Sequence, residues 1–305
     1  MACRFEIALS GEDARFVPAA KAALDEIDRI EGRLTVFRQT SALAGINRRA
    51  RTKPVVADED LFGLLQTCGT LHAQTDGAFD ITTTPLSRCW GFLRREGRLP
   101  PAEEITAARA CVGMDHVELD AEQHTVRFRR DGLELNLGGV GKGHALDRVG
   151  ALLRGRGVEH ALVSAAGSSV LAIGGRAGDW SIDVGSRHLG RRLGRLRLTD
   201  GALGTSGAGM QFVEVDGKRY GHVLDPRTGW PASGTLGATV ITRSAAAADA
   251  LSTAFLVGGV ALAERYCATH TDTLALVTPE HGDTRVVGSY PGAAFAASKE
   301  TDACI

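Results

Sequence analysis

The stretch "HALVSAAGSSVLAIGG", residues 160–175, contains an apolar strand, a turn of small residues and a second apolar strand. Aliphatic runs separated by glycine and serine are typical of a hairpin. "WSIDVG" at 180–185 and "LGRLRLTDGALGTSG" at 193–207 extend the pattern without an intervening helix. Because consecutive strands usually pair with each other, this stretch favours antiparallel sheets over a strictly alternating α/β fold.

Helices are interspersed with strands on both sides of this stretch. Apolar residues at helical spacing predict helices over 15–34, 58–75, 103–112, 142–157 and 245–259, the last with Ser244 as its N-cap. Further strands are predicted at 4–9, 115–120, 124–130, 132–137, 236–243, 273–280 and 284–289, with a hairpin over 212–225 that turns at Asp216-Gly217. We therefore expect an α+β fold of mixed, mostly antiparallel sheets flanked by helices.

Composition excludes several classes of protein. The 305-residue chain has a formal net charge of −1, which gives no reason to expect a nucleic-acid partner. The six cysteines form no C-x-x-C pair, which argues against a zinc site or a disulfide framework and predicts reduced thiols. No continuous apolar run of about 18 residues is visible, so no transmembrane segment is expected.

The first residues, "MACRFEIALSG", read as a strand and not as a signal peptide. On this sequence a cytoplasmic protein is expected. An export segment removed from the N-terminus would instead make it an exported, periplasmic protein.

Three small-residue turns are candidate phosphate-binding loops. In "NLGGVGKGHALD", residues 136–147, glycines precede a helix whose first N–H groups suit a phosphate, and Lys142 adds a positive charge. The spacing matches neither the P-loop nor the dinucleotide fingerprint. "SAAGSSV" at 164–170 and "LGTSG" at 203–207 are the other two. Each alone is consistent with a plain turn, whereas three together favour a ligand with a polyphosphate.

The helical segment "ADALSTAF", residues 248–255, carries a candidate metal site. Asp249 and Thr253 are four residues apart, so their oxygens lie on one face of the helix. A carboxylate and a hydroxyl, completed by backbone carbonyls and water, suit Mg²⁺. The alternative is that the Thr253 hydroxyl bonds back to the Asp249 carbonyl while the Asp249 side chain is solvated.

Two further segments combine a structural and a chemical interpretation. In "HVLDPRTGWP", residues 222–231, Asp225-Pro226 starts a turn that Thr228-Gly229 completes, and a histidine precedes it. "GAFDITTTPLSRCWGF", residues 77–92, contains aromatic side chains that pack a core or form the wall of an aromatic ligand site.

Together these segments resemble the ApbE family of flavin transferases, which move FMN from FAD onto a Thr or Ser of an acceptor protein. The family's blocks recur in order from Met1 to about Gly259: "MACRFEI", "TVFRQTSALAGIN", "GAFDITTTPLSRCWGF", "ELNLGGVGKGHALD", "ALVSAAGSSVLAIG", "GTSG", "HVLDPRTGWP" and "ADALSTAF". The resemblance implies one ApbE-like, T-fold-like domain over residues 1–305, with two closely packed lobes and an FAD site in the cleft between them.

The resemblance also assigns roles to individual residues. It implies that Mg²⁺ is bound by the Asp249 and Thr253 side chains and by the backbone carbonyl of Gly139, and that His222 is the catalytic base. Asn136 stands where the family usually has Asp, and His144 where it usually has Tyr. The positions that match the lining of the FAD site are Met1, Phe37, Ala78, Phe79, Asp80, Asn136, Lys142, Val223 and Ser252.

The implied reaction is Mg²⁺-dependent transfer of FMN from the substrate FAD to a Thr or Ser hydroxyl of an acceptor protein, with release of AMP. Mg²⁺ would neutralise the negative charge that develops on the pyrophosphate, and His222 would take the hydroxyl proton. Two alternatives use the same residues. One is a metal-dependent FAD pyrophosphatase that gives FMN and AMP, and the other is a non-catalytic flavin-binding protein.

Overall fold

The computed structural model describes residues 3–175, 179–186, 191–209 and 211–298. The helices are α1 (Val17–Leu34), α2 (Ala42–Arg49), α3 (Glu59–Gln74), α4 (Thr84–Cys89), α5 (Ala102–Arg109), α6 (Gly141–Gly155) and α7 (Ala245–Thr269). The strands are β1 (Phe5–Ala8), β2 (Val55–Val56), β3 (Val117–Asp120), β4 (Thr125–Phe128), β5 (Ala161–Ala165), β6 (Ser169–Ile173), β7 (Trp180–Ser186), β8 (Arg191–Leu198), β9 (Gly201–Gly207), β10 (Phe212–Val215), β11 (Lys218–Gly221), β12 (Thr235–Thr242), β13 (Leu274–Pro279), β14 (Arg285–Gly288) and β15 (Ala293–Ala297).

The chain divides into two compact units. The first unit comprises Met1–Ile30, Val140–Gly207 and Gly234–Ile305. The second unit comprises Glu31–Gly139 and Ala208–Ser233. Each unit is therefore built from segments that are distant in the sequence.

The first unit contains a seven-stranded sheet with the order β1-β5-β6-β9-β12-β13-β14. Every neighbouring pair in it is antiparallel, which confirms the predicted α+β class. The hairpin predicted at residues 160–175 is formed by β5 and β6, and its turn contains Ala166 and Gly167 at positive φ of 51° and 69°. A three-stranded sheet with the order β15-β8-β7 completes this unit.

One segment of the seven-stranded sheet was given two interpretations. "LGTSG" at 203–207 was expected to continue the strands and also to form a small-residue turn; the turn was wrong, because the segment belongs to β9, which pairs with β6 on one side and with β12 on the other. Its small residues serve a different purpose. A Cβ on Gly204 would lie only 2.4 Å from the carbonyl carbon of Ala248 in α7. The strand therefore lacks side chains here because the backbone of α7 lies directly on it.

Two polar side chains cap the amino end of helix α7. The Ser244 hydroxyl accepts a hydrogen bond from the Ala247 N–H at 3.2 Å, which confirms the predicted N-cap. The carboxylate of Asp147 in α6 accepts from the N–H groups of Ala245 and Ala246 at 2.8 and 3.0 Å, and from the Ser244 hydroxyl at 2.8 Å. These contacts satisfy N–H groups that have no partner within the helix.

Helix α7 is longer than predicted. Its helical geometry breaks at Gly259, where φ is 66° and ψ is −163°, and the helix then continues to Thr269. Among the described residues this is the one helix long and apolar enough to cross a membrane, judged by length and composition. Of its apolar window, 61% is buried within the protein, as expected for the core helix of a folded domain. This run is not continuous in the sequence, because Asp249, Ser252 and Thr253 interrupt it.

The contact between α7 and β9 predicts a specific stability effect. Gly204→Ala should destabilise the protein by about 1–3 kcal/mol, because the added methyl group requires the α7 backbone to move. Gly237→Ala in β12 is the matched control, since its Cβ would have the Ser206 carbonyl oxygen at 3.5 Å as its nearest neighbour. Urea unfolding followed by circular dichroism measures both. Equal effects of the two substitutions would contradict the close approach.

The second unit contains α2 to α5, an antiparallel sheet of order β2-β4-β3, and the predicted hairpin β10–β11. Asp216 and Gly217 form the hairpin turn at positive φ of 51° and 74°. The predicted strand at 132–137 was wrong, because this segment makes only an isolated bridge between Glu134 and Thr83. Trp90 and Phe92 are buried in a core cluster with Leu86, Ile105 and Leu224, so they pack the interior.

Candidate active site

The Asp249 side chain is the centre of the candidate site in the first unit. Its carboxylate is buried, with only 4% of the residue exposed. Oδ1 accepts a hydrogen bond from the Ser169 hydroxyl at 2.5 Å, and Oδ2 accepts one from the Gly143 N–H at 2.8 Å. The Lys142 ammonium lies 3.5 Å from Oδ2. The alternative of a solvated Asp249 was therefore wrong.

Burial dominates the electrostatics of this carboxylate. Removal from water raises the pKa of the Asp249 carboxyl above its ordinary value. The positive charge of Lys142 and the hydrogen bonds from Ser169 and Gly143 act in the opposite direction. A carboxylate in such surroundings is stabilised by a nearby cation, which is the environment that a metal ligand needs.

The Thr253 hydroxyl lies one helical turn from Asp249 and takes part in a cluster of hydroxyl groups. It donates to the backbone carbonyl of Asp249 at 3.3 Å, as the alternative interpretation anticipated. Its Oγ1 also lies 3.2 Å from the Ser206 hydroxyl, which lies 2.9 Å from that of Ser252. Ser252 donates to the same Asp249 carbonyl at 2.8 Å. With its proton donated to the Asp249 carbonyl, the Thr253 oxygen has two lone pairs, so it can accept from the Ser206 hydroxyl with one and face a cation with the other.

These residues fit a hard cation by their chemistry. Among the described residues no group of three His, Cys, Asp or Glu side chains is placed to bind a metal, so a softer, nitrogen- or sulfur-rich site is not formed there. Asp249 and Thr253 instead offer one anionic and one neutral oxygen, which suit Mg²⁺ when carbonyls and waters complete the shell. Gly139 is the last residue of the second unit, two positions before α6 begins, and its role as a third ligand stays a prediction.

The amino end of α6 is used in an unexpected way. Its N–H groups were expected to bind a phosphate, but the Gly143 N–H already donates to Asp249. Gly143 permits this contact, because a Cβ there would lie 2.0 Å from the Ala245 carbonyl oxygen. Lys142 is partly exposed, and its ammonium is the group at this helix end that can reach an anionic ligand.

In the second unit, His222 directly follows β11. Its Nδ1 lies 3.2 Å from the Gln211 carbonyl oxygen, and its backbone N–H donates to the same oxygen at 2.9 Å. Because a carbonyl only accepts, Nδ1 carries the proton, and in the neutral ring Nε2 has a free lone pair. The Gln211 side chain donates to the Phe92 carbonyl at 3.1 Å, which anchors this partner of His222.

The pKa of the His222 imidazole lies below its ordinary value. Burial disfavours the imidazolium, and the hydrogen bond to the Gln211 carbonyl offsets this effect only in part. The ring is therefore neutral at pH 7, with Nε2 able to accept a proton.

The predicted turn after His222 is formed, and it is held by hydrogen bonds and an ion pair. The Asp225 carbonyl accepts from the Gly229 N–H at 2.8 Å, and the Asp225 carboxylate pairs with the Arg227 guanidinium at 2.8 Å through two nitrogens. The Trp90 indole N–H donates to the Gly229 carbonyl at 3.0 Å. This bonding ties the segment after His222 to the buried aromatic cluster of the second unit.

Asp80 is a further predicted site residue of the second unit. Its Oδ1 accepts from the Thr82 N–H and hydroxyl at 2.7 and 2.6 Å, and its Oδ2 lies 3.3 Å from Nδ1 of His72. It lines a cavity of about 410 Å³ whose other walls include Gly77, Asp115 and Arg227. That volume is in the range of sites for small organic ligands.

The remaining predicted FAD-lining residues differ in what they can offer a ligand. The Phe37 ring is 76% exposed and free to stack on an aromatic ligand, whereas Ala78 and Phe79 are buried. The Asn136 side-chain oxygen accepts from the Gly138 N–H at 2.8 Å, which closes a local turn. Val223 is half-buried beside His222. Met1 lies outside the described residues. For all of these positions the contact with FAD stays a prediction.

Several polar residues of the site were not singled out by sequence reasoning. Ser169 contacts Asp249 from 80 positions away, and Ser206 contacts Thr253 across 47 positions. Gln211 contacts His222 across the base of a hairpin. Only the contact between Gln211 and His222 had a signal in the sequence: the register of the hairpin places the residue before β10 opposite the residue after β11.

The family model of the ApbE family matches residues 1–277. The chain therefore belongs to the ApbE family. This match covers the second unit, the first unit up to residue 277, and every site residue described above.

Individual relatives agree with this assignment. A FAD:protein FMN transferase of Klebsiella pneumoniae (strain 342) is 33% identical over 245 residues, which are 79% of this chain and 75% of the relative. The ApbE protein of Thermotoga maritima superposes with a TM-score of 0.82 at 31% identity, over 92% of both chains. The apo form of the Pseudomonas stutzeri flavinyl transferase ApbE gives 0.77 at 27% identity, over 97% of this chain and 95% of that one.

Proposed function

We propose that this chain is an FAD:protein FMN transferase that transfers FMN from FAD to a Thr or Ser hydroxyl of an acceptor protein and releases AMP. The observation that carries the proposal is the buried Asp249 carboxylate with the Thr253 hydroxyl one helical turn away. The names of the Klebsiella and Pseudomonas relatives support the same reaction.

Asp249, Thr253 and the Gly139 carbonyl would bind Mg²⁺. When bound, the ion neutralises negative charge on the phosphate oxygens as the pyrophosphate is cleaved. Lys142 contributes a second positive charge next to Asp249, and its partly exposed ammonium would bind a phosphate oxygen there. These charges act on the FAD pyrophosphate, which is the part of the substrate that reacts.

His222 acts on the acceptor. Its neutral imidazole takes the proton of the acceptor hydroxyl at Nε2, while the Gln211 carbonyl holds the Nδ1–H and thereby keeps the ring in the basic tautomer. The hydroxyl oxygen attacks the phosphorus of the FMN half and forms a P–O bond. The P–O bond to the AMP half breaks, and AMP leaves with the electron pair of that bond.

One assay tests this proposal against its two alternatives. The purified 305-residue chain is incubated with FAD, Mg²⁺ and a candidate acceptor domain, and the acceptor is then denatured. Covalent flavin on the acceptor together with AMP supports the transferase. Free FMN and AMP without labelled acceptor identify a pyrophosphatase, in which water replaces the hydroxyl. FAD binding without either product identifies a flavin-binding protein, and both of these results contradict the proposal.

A further inference from the structure

We propose that Ser169 is a positioning residue that orients the Asp249 carboxylate toward the bound cation. This inference rests on the metal site of the proposed function. Ser169 lies in the segment 164–170, which was considered above as a phosphate-binding loop, but it is not among the individual metal or FAD-binding positions; here it would act through Asp249 without contacting the ion.

The location of Ser169 suits this role. It is the first residue of β6, where it pairs with Ala165 of β5 and with Gly204 of β9. The residue is fully buried, with 0% of its surface exposed. A serine in such a place needs a partner for its hydroxyl, and its Oγ lies 2.5 Å from Oδ1 of Asp249.

The contact fixes which part of the carboxylate remains available. An ionised carboxylate has about four lone-pair positions on its two oxygens. Ser169 occupies one position on Oδ1, and the Gly143 N–H occupies one on Oδ2, beside Lys142. The carboxylate is thus bonded from both sides, by a sheet residue and by a helix residue. It cannot rotate about its terminal bond without losing one of these bonds.

A metal ligand benefits from such a constraint. Hydrogen bonds to ligating carboxylates orient them, and loss of one such bond typically weakens metal binding about 10- to 100-fold. Gly143 contributes a backbone N–H, so substitution does not remove this donor. Ser169 is the side chain that donates to Oδ1, and together with the Gly143 N–H on Oδ2 it fixes the orientation of the Asp249 carboxylate.

The experiment measures metal binding separately from transfer. Mn²⁺ is titrated into the metal-free 305-residue chain, and the free ion is followed by electron paramagnetic resonance. Ser169→Ala should bind Mn²⁺ about 10- to 100-fold more weakly than wild type. The matched control is Thr239→Val, which removes the buried hydroxyl that lies 3.0 Å from Thr205 and should leave Mn²⁺ affinity unchanged.

Ser169→Thr distinguishes hydrogen bonding from packing. It keeps the hydroxyl, so its Mn²⁺ affinity should stay close to that of wild type. Wild-type affinity in a folded Ser169→Ala protein overturns the inference, and so does an equal loss in the Ala and Thr variants. A wild-type chain that binds Mn²⁺ in this Ser169-dependent way but does not label an acceptor would contradict the proposed transfer and leave the inference intact.

Discussion

Asp249→Ala is expected to abolish FMN transfer, with a loss of at least about 1,000-fold in kcat/KM. The substitution removes the anionic ligand of the proposed Mg²⁺ site and leaves the Lys142 ammonium without its carboxylate partner. The remaining Thr253 hydroxyl is a neutral oxygen that cannot bind the cation alone. Labelling of an acceptor domain, followed over a range of Mg²⁺ concentrations, measures the effect.

A carboxylate on the surface of the same unit provides the control. Asp183 in β7 is largely exposed and pairs with Arg195 at 3.0 Å, so Asp183→Ala should transfer FMN at the wild-type rate. The melting temperature of both variants verifies that the fold is intact. Undiminished Mg²⁺-dependent transfer in folded Asp249→Ala would refute the assigned metal site.

His222→Asn is expected to reduce kcat about 100- to 10,000-fold while leaving FAD affinity unchanged. The Asn amide can occupy the place of Nδ1–H and keep the hydrogen bond to the Gln211 carbonyl, but it has no counterpart of Nε2. The variant therefore removes the base and preserves its anchor. Single-turnover labelling measures the chemical step, and fluorescence titration measures FAD binding.

The pH profile gives an independent test of His222. Its pKa is lowered because burial disfavours the charged ring, so the neutral, basic form persists to more acidic pH than in an ordinary histidine. Transfer by the wild-type chain should fall as pH decreases through this lowered pKa, and the midpoint should lie below the ordinary value of 6.5. A midpoint above 6.5, or a fall that persists unchanged in residual His222→Asn activity, would assign the titration to another group.

The fold could largely be predicted from the sequence, because most of its strands are short apolar runs between turn residues. The hairpin at Asp216-Gly217 and the α7 N-cap at Ser244 were both predicted by their local chemistry. The "LGTSG" segment was assigned to a turn because glycine and serine dominate turns. In the structure Gly204 has no side chain because the backbone of α7 lies on the strand there, which is a tertiary cause without a local signature.

The candidate site, too, could be predicted where it depends on local sequence and not where it depends on distant residues. The i, i+4 spacing of Asp249 and Thr253 identified a shared helical face from sequence alone. The burial of Asp249 and its contact with Ser169 depend on a pairing across 80 residues, which periodicity does not encode. The tautomer of His222 likewise depends on Gln211, which becomes its neighbour only when the β10–β11 hairpin closes.

The contacts of Asp147 and Asp249 have a consequence for how the site forms. Asp147 of α6 caps the first turn of α7, while Asp249 of α7 accepts the Gly143 N–H in the first turn of α6. Each helix thus caps N–H groups of the other: Ser244 satisfies the Ala247 N–H locally, but the N–H groups of Ala245 and Ala246 in α7 and of Gly143 in α6 gain these partners only when both helices are docked. We expect the amides of the two first turns to exchange with solvent deuterium in one cooperative opening event. The cation ligands would then come together when α6 and α7 dock and separate when the two helices open.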